Sequence, residues 1–185
     1  HIIIRGIERR EIFRDDHDKD VFIDRFENIL LDTKTRCLAW VLMSNHVHLL
    51  LQTGTVPIAT VMRRLLTGYA QQFNRRYARH GQLFQNRYKS ILCEQEQYLL
   101  ILVRYIHLNP VRAGMVEDVN VLKKYWYIGH CVLMGENEYA WQDTRAVLTL
   151  FAPSLRQARR RYESFVSEGI ALGRQPELTG GGLLR

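Results

Sequence analysis

The segment Val41–Leu51 reads VLMSNHVHLLL, and its two histidines, His46 and His48, stand one residue apart in a largely apolar run. Successive side chains of a β-strand point to opposite faces, so both imidazoles face one way and the apolar residues at 47, 49 and 51 face the other. Two imidazoles on one face must both be satisfied, by a metal, a polar neighbour or water. The pair is therefore a candidate metal site, with packed and hydrogen-bonded core histidines as the alternative.

The same segment belongs to a predicted β-hairpin, with a short turn at Ser44-Asn45. The predicted strands are His1–Arg5, Arg36–Met43, His46–Gln52 and Tyr88–Cys93. Helical periodicity fills the intervals, from the capping pair Asp15-Asp16 to Leu30, over Ile58–Arg79 and over Glu94–Leu108. This order predicts an α+β fold, a ferredoxin-like or RRM-like sandwich with an antiparallel sheet, helices packed mainly on one face, and the His-bearing strand in a central position.

The patterns weaken beyond Gly114, where the sequence predicts a helical C-terminal extension. Asp143 is a predicted cap of a helix through Leu150, and a further helix follows Pro153. We divide the chain into a first domain at 1–122, a helical extension at 123–170 and a flexible linker or tail at 171–185. The glycine-rich end and the abrupt start are interpreted as those of a fragment, and a further C-terminal DNA-binding module is expected.

Composition excludes several classes of protein. The 185 residues suffice for one well-buried domain and a small appendage. No stretch approaches the ~20 apolar residues that cross a bilayer. Three widely spaced cysteines indicate reduced thiols. We expect a cytoplasmic, nucleoid-associated protein without membrane contact.

The positive charge is concentrated in one part of the chain. Residues 33–93 hold nine Lys and Arg and no Asp or Glu, so with a net charge of +7 the remainder carries −2. Aromatic and amide side chains are interleaved with these arginines, and this combination suits phosphates, stacked bases and base edges. The alternative is that the arginines form a solvated helix face, while Tyr69, Phe73 and Tyr77, at helical spacing with Met62 and Leu65, form the core stripe of that helix.

The last predicted helix of the first domain ends in a second unusual segment, which reads YIHLNPVRAG from Tyr105 to Gly114. Tyr105 and Asn109 lie four residues apart and therefore share one helix face. If that face meets the sheet, a phenol and an amide approach the two imidazoles. The alternative is that Tyr105 is an ordinary aromatic residue of the apolar helix face and that Asn109 is a C-terminal cap.

Two strings, MSNHVHLL at 43–50 and YIHLNPVRAG at 105–114, resemble the signature motifs of the single-tyrosine HUH transposases, most closely the REP-associated tyrosine transposases. Residues 72–91 and Arg5-Gly6 are also similar, and the likeness runs from about His1 to Val116. The resemblance implies metal-dependent cleavage of single-stranded DNA, with Tyr105 as nucleophile, His46 and His48 as metal ligands, and Mg²⁺ or Mn²⁺ as the ion. Insertion-sequence members carry Gln four residues after the tyrosine, whereas this chain carries Asn109, so Glu94 is kept as an alternative third ligand.

These observations lead to the hypothesis of a DNA strand transferase. It would nick and rejoin single-stranded DNA through a 5′-phosphotyrosine at a hairpin-flanked site, as a monomer or a homodimer. The residues expected to hold DNA phosphates are Arg63, Arg64, Arg75, Arg76, Arg79, Arg87 and Lys89. Two alternatives stay open: a domesticated DNA-hairpin-binding regulator without chemistry, and a metal nuclease that uses water as the nucleophile.

Overall fold

One five-stranded sheet organises the computed structural model, which describes residues 1–93, 96–173, 175, 178 and 182–184. The strands are β1 (Ile2–Arg5), β2 (Arg36–Met43), β3 (His46–Gln52), β4 (Lys89–Cys93) and β5 (Gly182–Leu184). Their order is β2-β3-β1-β4-β5, with antiparallel pairing among the first four and parallel pairing of β5 with β4. The predicted antiparallel sheet and the central position of the His-bearing strand are confirmed.

The five predicted helices are present in the predicted order, together with three short helices between residues 109 and 134 that were not predicted. They are α1 (Asp16–Thr33), α2 (Ile58–Arg76), α3 (Glu96–His107), α4 (Asn109–Arg112), α5 (Val119–Leu122), α6 (Gly129–Met134), α7 (Thr144–Leu148) and α8 (Leu155–Glu168). Asp15 caps α1 by accepting a hydrogen bond from the Asp18 N–H at 3.0 Å. The α2 helix ends before the predicted Arg79, because Ala78 has a left-handed φ of 49°. None of the helices in the described part of the chain has the length and apolarity needed to cross a membrane.

The sheet is covered by helices on both faces. Strand alternation sends Trp40, Leu42, Val47 and Leu49 into a core with α1 and α2, and sends Val41, Met43 and Leu50 into a second core with α3 and the C-terminal helices. The α+β class is confirmed, and the expectation that the helices pack mainly on one face is corrected. The second face is apolar too, and α3 alone is too short to cover it, so the C-terminal helices pack there as well.

A buried polar cluster joins the C-terminal helices to α3. The Tyr162 hydroxyl lies 2.8 Å from His107 Nδ1 and 2.7 Å from His130 Nδ1, and both histidines are fully buried. The end of α8 approaches α3 so closely that a Cβ on Gly169 would lie 2.4 Å from Arg104 Cδ. The extension therefore shares a core with the first domain, while the domain boundaries themselves stay predictions.

Candidate metal and nucleophile site

The two histidines of β3 point towards α3, on the face of the sheet opposite α1 and α2. Their ring centroids are 5.2 Å apart. Val47, between them, is buried in the α1–α2 core, which fixes the direction of both imidazoles through strand alternation.

Each imidazole is held through its Nδ1 atom. His46 Nδ1 lies 2.7 Å from Asn45 Oδ1, and His48 Nδ1 lies 2.9 Å from Nε2 of His1, whose ring stacks on that of His48. A ring nitrogen fixed in this way sets the orientation of the imidazole and leaves Nε2 as the possible metal ligand. Both histidines of the motif are thus arranged as metal ligands commonly are.

Burial keeps both imidazoles neutral near pH 7. It lowers the pKa of His46 to about 4, with the positive charge of Arg5 contributing and a hydrogen bond with Asn109 opposing. Burial also lowers the pKa of His48, with smaller contributions from His46 and Arg5. Neutral imidazoles offer lone pairs to a cation.

Tyr105 and Asn109 approach the imidazoles from the end of α3. The Tyr105 ring centroid lies 5.7 Å from that of His48 in an edge-on arrangement, and Tyr105 is 9% exposed. Asn109 Nδ2 donates to the Tyr105 carbonyl at 2.9 Å and to the Ile106 carbonyl at 3.3 Å. These two contacts fix the amide so that its Oδ1 is the atom left for His46. Glu94, the alternative third ligand, lies outside the described residues.

The donor set fits a divalent ion. With His46 Nδ1 taken by Asn45, the ring nitrogen left for Asn109 is Nε2, and in the neutral ring that atom and the Asn109 oxygen are both electron-pair donors. A cation between them satisfies both. Two neutral nitrogens and one neutral oxygen leave the charge of the ion uncompensated, which favours an anionic phosphate as a further ligand. Among the described residues, no three His, Cys, Asp or Glu side chains form such a group.

Three residues at the site were not predicted from the sequence. Arg5 is exposed and pairs with His46 across the strands, so its side chain shares the histidine face. The Arg112 guanidinium lies 5.1 Å from the Tyr105 ring centroid. The segment YIHLNPVRAG contains Arg112, whereas Arg5 reaches the site through the pairing of β1 with β3, which no local pattern expresses. The presence of His1 at the site follows from its packing against His48, which the sequence does not show.

Six of the seven predicted DNA-binding residues lie away from this site, on or near α2, which covers the other face of the sheet. Arg64 pairs with Asp32 at 2.7 Å, and Arg63 and Arg87 line a groove of about 810 Å³ beside Phe84 and Tyr88. Arg75 is exposed and Arg79 is half-buried. Lys89 differs, because it pairs with Ile3, which pairs with His48 on its other side, so Lys89 lies on the histidine face of the sheet. Contact of these residues with DNA stays a prediction.

The aromatic residues of the basic span, residues 33–93, separate into groups by burial. Tyr69 and Phe73 are buried in the α1–α2 core, so the core-stripe alternative is confirmed for both. Phe84 and Tyr88, which follow α2, are only partly buried at the groove. Tyr77 is also partly buried, but it lies against Arg14 and its hydroxyl donates to Asp18, so Phe84 and Tyr88 are the partly buried rings at the groove.

Arg76 is engaged in an ion-pair cluster with α1. It contacts Asp15 and Asp18 at 2.6 Å each, and its hydrogen bonds hold the pKa of Asp15 at about 2. A lowered folded-state pKa contributes stability that is present above the ordinary Asp pKa and lost as the pH falls towards 2. We therefore expect Arg76→Gln to move the midpoint of acid unfolding, followed by circular dichroism, to higher pH. Arg75→Gln, which changes the adjacent exposed arginine, should leave that midpoint unchanged, and an equal shift in both variants would contradict the assignment.

Comparisons with known proteins identify the family. The family model described as "Transposase IS200 like" matches residues 1–109, more than half of the chain, and the chain belongs to this family. A solved structure of a REP-associated tyrosine transposase bound to a REP hairpin is similar, with a TM-score of 0.58 over 77% of this chain and 88% of that chain. The two sequences are 13% identical, so this likeness shows the fold alone. The comparison with curated proteins finds no match.

Proposed function

We propose that the protein nicks and rejoins single-stranded DNA through a 5′-phosphotyrosine on Tyr105, in a metal-dependent reaction at a site flanked by a hairpin. One observation carries the proposal: the end of α3 brings Tyr105 against His48, with ring centroids 5.7 Å apart, although the two residues come from distant segments. Membership of the IS200-like transposase family supports a role in DNA strand transfer.

The covalent step exchanges one phosphodiester for another. Tyr105 Oη attacks the phosphorus atom, the Oη–P bond forms, the bond from phosphorus to the 3′ oxygen breaks, and that oxygen leaves as a 3′-hydroxyl after taking a proton. The phenol loses its own proton to solvent or to a neighbouring base. Because the phosphodiester energy is kept in the phosphotyrosine, attack by a 3′-hydroxyl rejoins DNA without a nucleotide cofactor.

His46, His48 and Asn109 would hold Mg²⁺ or Mn²⁺, which when bound polarises and orients the phosphate. The chain supplies two further positive charges. Arg5 is exposed beside His46, where it can neutralise the incoming phosphate, and Arg112 lies over the Tyr105 ring, where it can stabilise negative charge developing on the phenol oxygen.

Hairpin recognition rests on separate support. The similar solved structure is a complex with a REP hairpin, and the basic span of this chain places Arg63 and Arg87 in a groove with aromatic and amide side chains. We propose that this groove contacts the DNA on either side of the cleavage site.

The proposal is tested by trapping the covalent adduct. Hairpin DNA with a single-stranded flank is labelled at its 3′ end or its 5′ end and incubated with the protein and Mn²⁺. A 5′-phosphotyrosine retains the DNA on the 3′ side of the cut, so only the 3′ label should migrate with the protein in a denaturing gel. No adduct should form with a chelator present.

His46→Ala should reduce adduct formation at least about a hundredfold, because it removes a metal ligand. His80→Ala changes an exposed histidine beyond α2 and should have no effect. A 5′-labelled adduct, or one that persists with chelator, contradicts the mechanism. Hairpin binding without any adduct, equally tight with chelator, would indicate the DNA-binding regulator, and cleavage without an adduct would indicate a water-using nuclease.

A further inference from the structure

A second cluster of arginines lies around the loop that follows β1, where three arginines not discussed so far as DNA contacts join Arg79. Arg9, Arg10, Arg14 and Arg79 line an open pocket of about 390 Å³, which also includes Glu11. Glu8 pairs with Arg10 at 2.8 Å on the surface. Four guanidinium groups therefore stand against two carboxylates, and the pocket keeps a net positive charge.

Two of these arginines are held in place by aromatic rings. The Arg14 guanidinium lies 4.3 Å from the centroid of Tyr77 and 5.7 Å from that of Phe73, and Arg79 also lies 5.7 Å from Phe73. Within the part of the chain that the structure describes, neither Arg14 nor Arg79 forms an ion pair with a carboxylate. Stacked guanidinium groups lose little conformational freedom on binding, and their planar donors match phosphate oxygens.

The loop that carries Arg9 and Arg10 has an unusual backbone. Glu8 and Arg9 are adjacent non-glycine residues with φ values of 52° and 60°, in the left-handed region. Each such residue costs on the order of 1 kcal/mol and persists only where surrounding contacts fix it. The conformation turns the Arg9 and Arg10 side chains towards the same pocket as Arg14.

This loop is joined directly to the candidate metal site. Asn45 Nδ2 donates to the Arg9 carbonyl at 3.0 Å, and the other end of the same amide, Oδ1, lies 2.7 Å from His46 Nδ1. The loop that carries Arg9 and Arg10 is therefore separated from His46 by one side chain. A DNA strand whose scissile phosphate lies at His46 would run close to this loop.

We propose that Arg9, Arg10, Arg14 and Arg79 bind a backbone phosphate of the DNA substrate, next to but distinct from the phosphate that is cleaved. The identity of the ligand as DNA rests on the proposed function. The chemistry of the pocket specifies a phosphodiester anion held by guanidinium groups, in a position that steers the strand towards Tyr105.

The test measures DNA binding separately from chemistry. Affinity for fluorescent hairpin DNA is measured by anisotropy over a range of salt concentrations, in Tyr105→Phe protein with a chelator present. Each phosphate contact contributes about 0.7 to 0.9 to the slope of log K against log salt concentration. In the double variant Arg14→Gln/Arg79→Gln the magnitude of this slope should fall by the amount of about one phosphate contact. The variant should also bind about tenfold more weakly at ~0.1 M salt. Arg160→Gln, on the exposed side of α8, should match the parent protein.

A second variant guards against misfolding, since Arg14 packs on Tyr77. Arg9→Gln keeps the carbonyl that holds Asn45 and should change the slope in the same direction. Unchanged slopes in both variants would overturn the proposal. A competition experiment at matched ionic strength gives a second criterion. If inorganic pyrophosphate binds the pocket but does not weaken DNA binding, the proposal is also overturned. Absence of a covalent adduct from native protein would instead contradict the proposed function, and the binding measurement would still be readable.

Discussion

Replacing Tyr105 with Phe is expected to abolish the covalent protein–DNA adduct, by at least about a thousandfold, because the attacking oxygen is removed. The substitution keeps the aromatic ring, which packs against His48 and beneath the Arg112 guanidinium. The fold and the metal ligands should therefore be retained. Hairpin affinity in the presence of a chelator should also remain at the native level, since the phenol oxygen is not needed for DNA contact.

The matched control is Tyr98→Phe, which removes a phenol oxygen from the same helix. Tyr98 is half-buried on α3, and its change to Phe should leave adduct formation intact. The readout is the fraction of 3′-labelled DNA that is retained on the protein in a denaturing gel. Native adduct levels from Tyr105→Phe, or an equal loss in both variants, would show that Tyr105 is not the nucleophile.

The largest effect on stability is expected from Tyr162→Phe. The Tyr162 hydroxyl contacts both His107 Nδ1 and His130 Nδ1 in the core between α3 and the extension. Burial lowers the pKa of His130 to about 3 and lowers that of His107, so both rings are neutral in the folded protein. Loss of the hydroxyl leaves two buried ring nitrogens without this partner. We expect a loss of about 2–5 kcal/mol in the free energy of unfolding, or roughly 10 °C in Tm.

Urea unfolding at pH 7.5 measures this loss, since that pH lies above the ordinary histidine pKa of about 6.5. Because the pKa values of His107 and His130 are lowered in the folded protein, their contribution to stability is present above pH 6.5 and is lost as the pH falls towards 3. The control is Tyr127→Phe, whose hydroxyl bonds Asp20 near the surface at 3.0 Å, and it should cost less than about 1 kcal/mol. Equal losses of unfolding free energy in the two variants would show that the contacts of Tyr162 with the two buried histidines add no particular stability.

Local properties of the sequence predicted the hairpin to the residue. Both β2 and β3 begin and end where alternation and the Ser44-Asn45 turn placed them. The α2 helix ended early because one residue, Ala78, takes a left-handed conformation that helical periodicity does not reveal. Helix amphipathicity indicates which side is buried but not which element covers it, so the second core remained hidden.

At the candidate site, too, local patterns predicted some features and long-range contacts determined the others. Alternation along β3 predicted the shared direction of His46 and His48, and the four-residue spacing predicted that Tyr105 and Asn109 share a face. Arg5 reached the site through strand pairing, a long-range property that no local pattern expresses.

The charge count along the sequence overstated the free positive surface of α2. Asp15, Asp18 and Asp32 lie in or just before α1, outside the acid-free span, yet folding brings them to Arg76 and Arg64. A stretch without acidic residues is therefore not necessarily a stretch without acidic neighbours.

The Tyr162 hydroxyl has a consequence for the positions of hydrogen atoms in the core. It carries a single hydrogen, yet it contacts one nitrogen from each of two neutral imidazoles. With its hydrogen accepted by one of these nitrogens, the hydroxyl can meet the other only by accepting, so that nitrogen donates to the phenol oxygen. His107 and His130 therefore hold opposite tautomers, one with its hydrogen on Nδ1 and the other with its hydrogen on Nε2. Two histidines with similar surroundings are thus chemically different, and nitrogen NMR should resolve them as a pair of distinct forms.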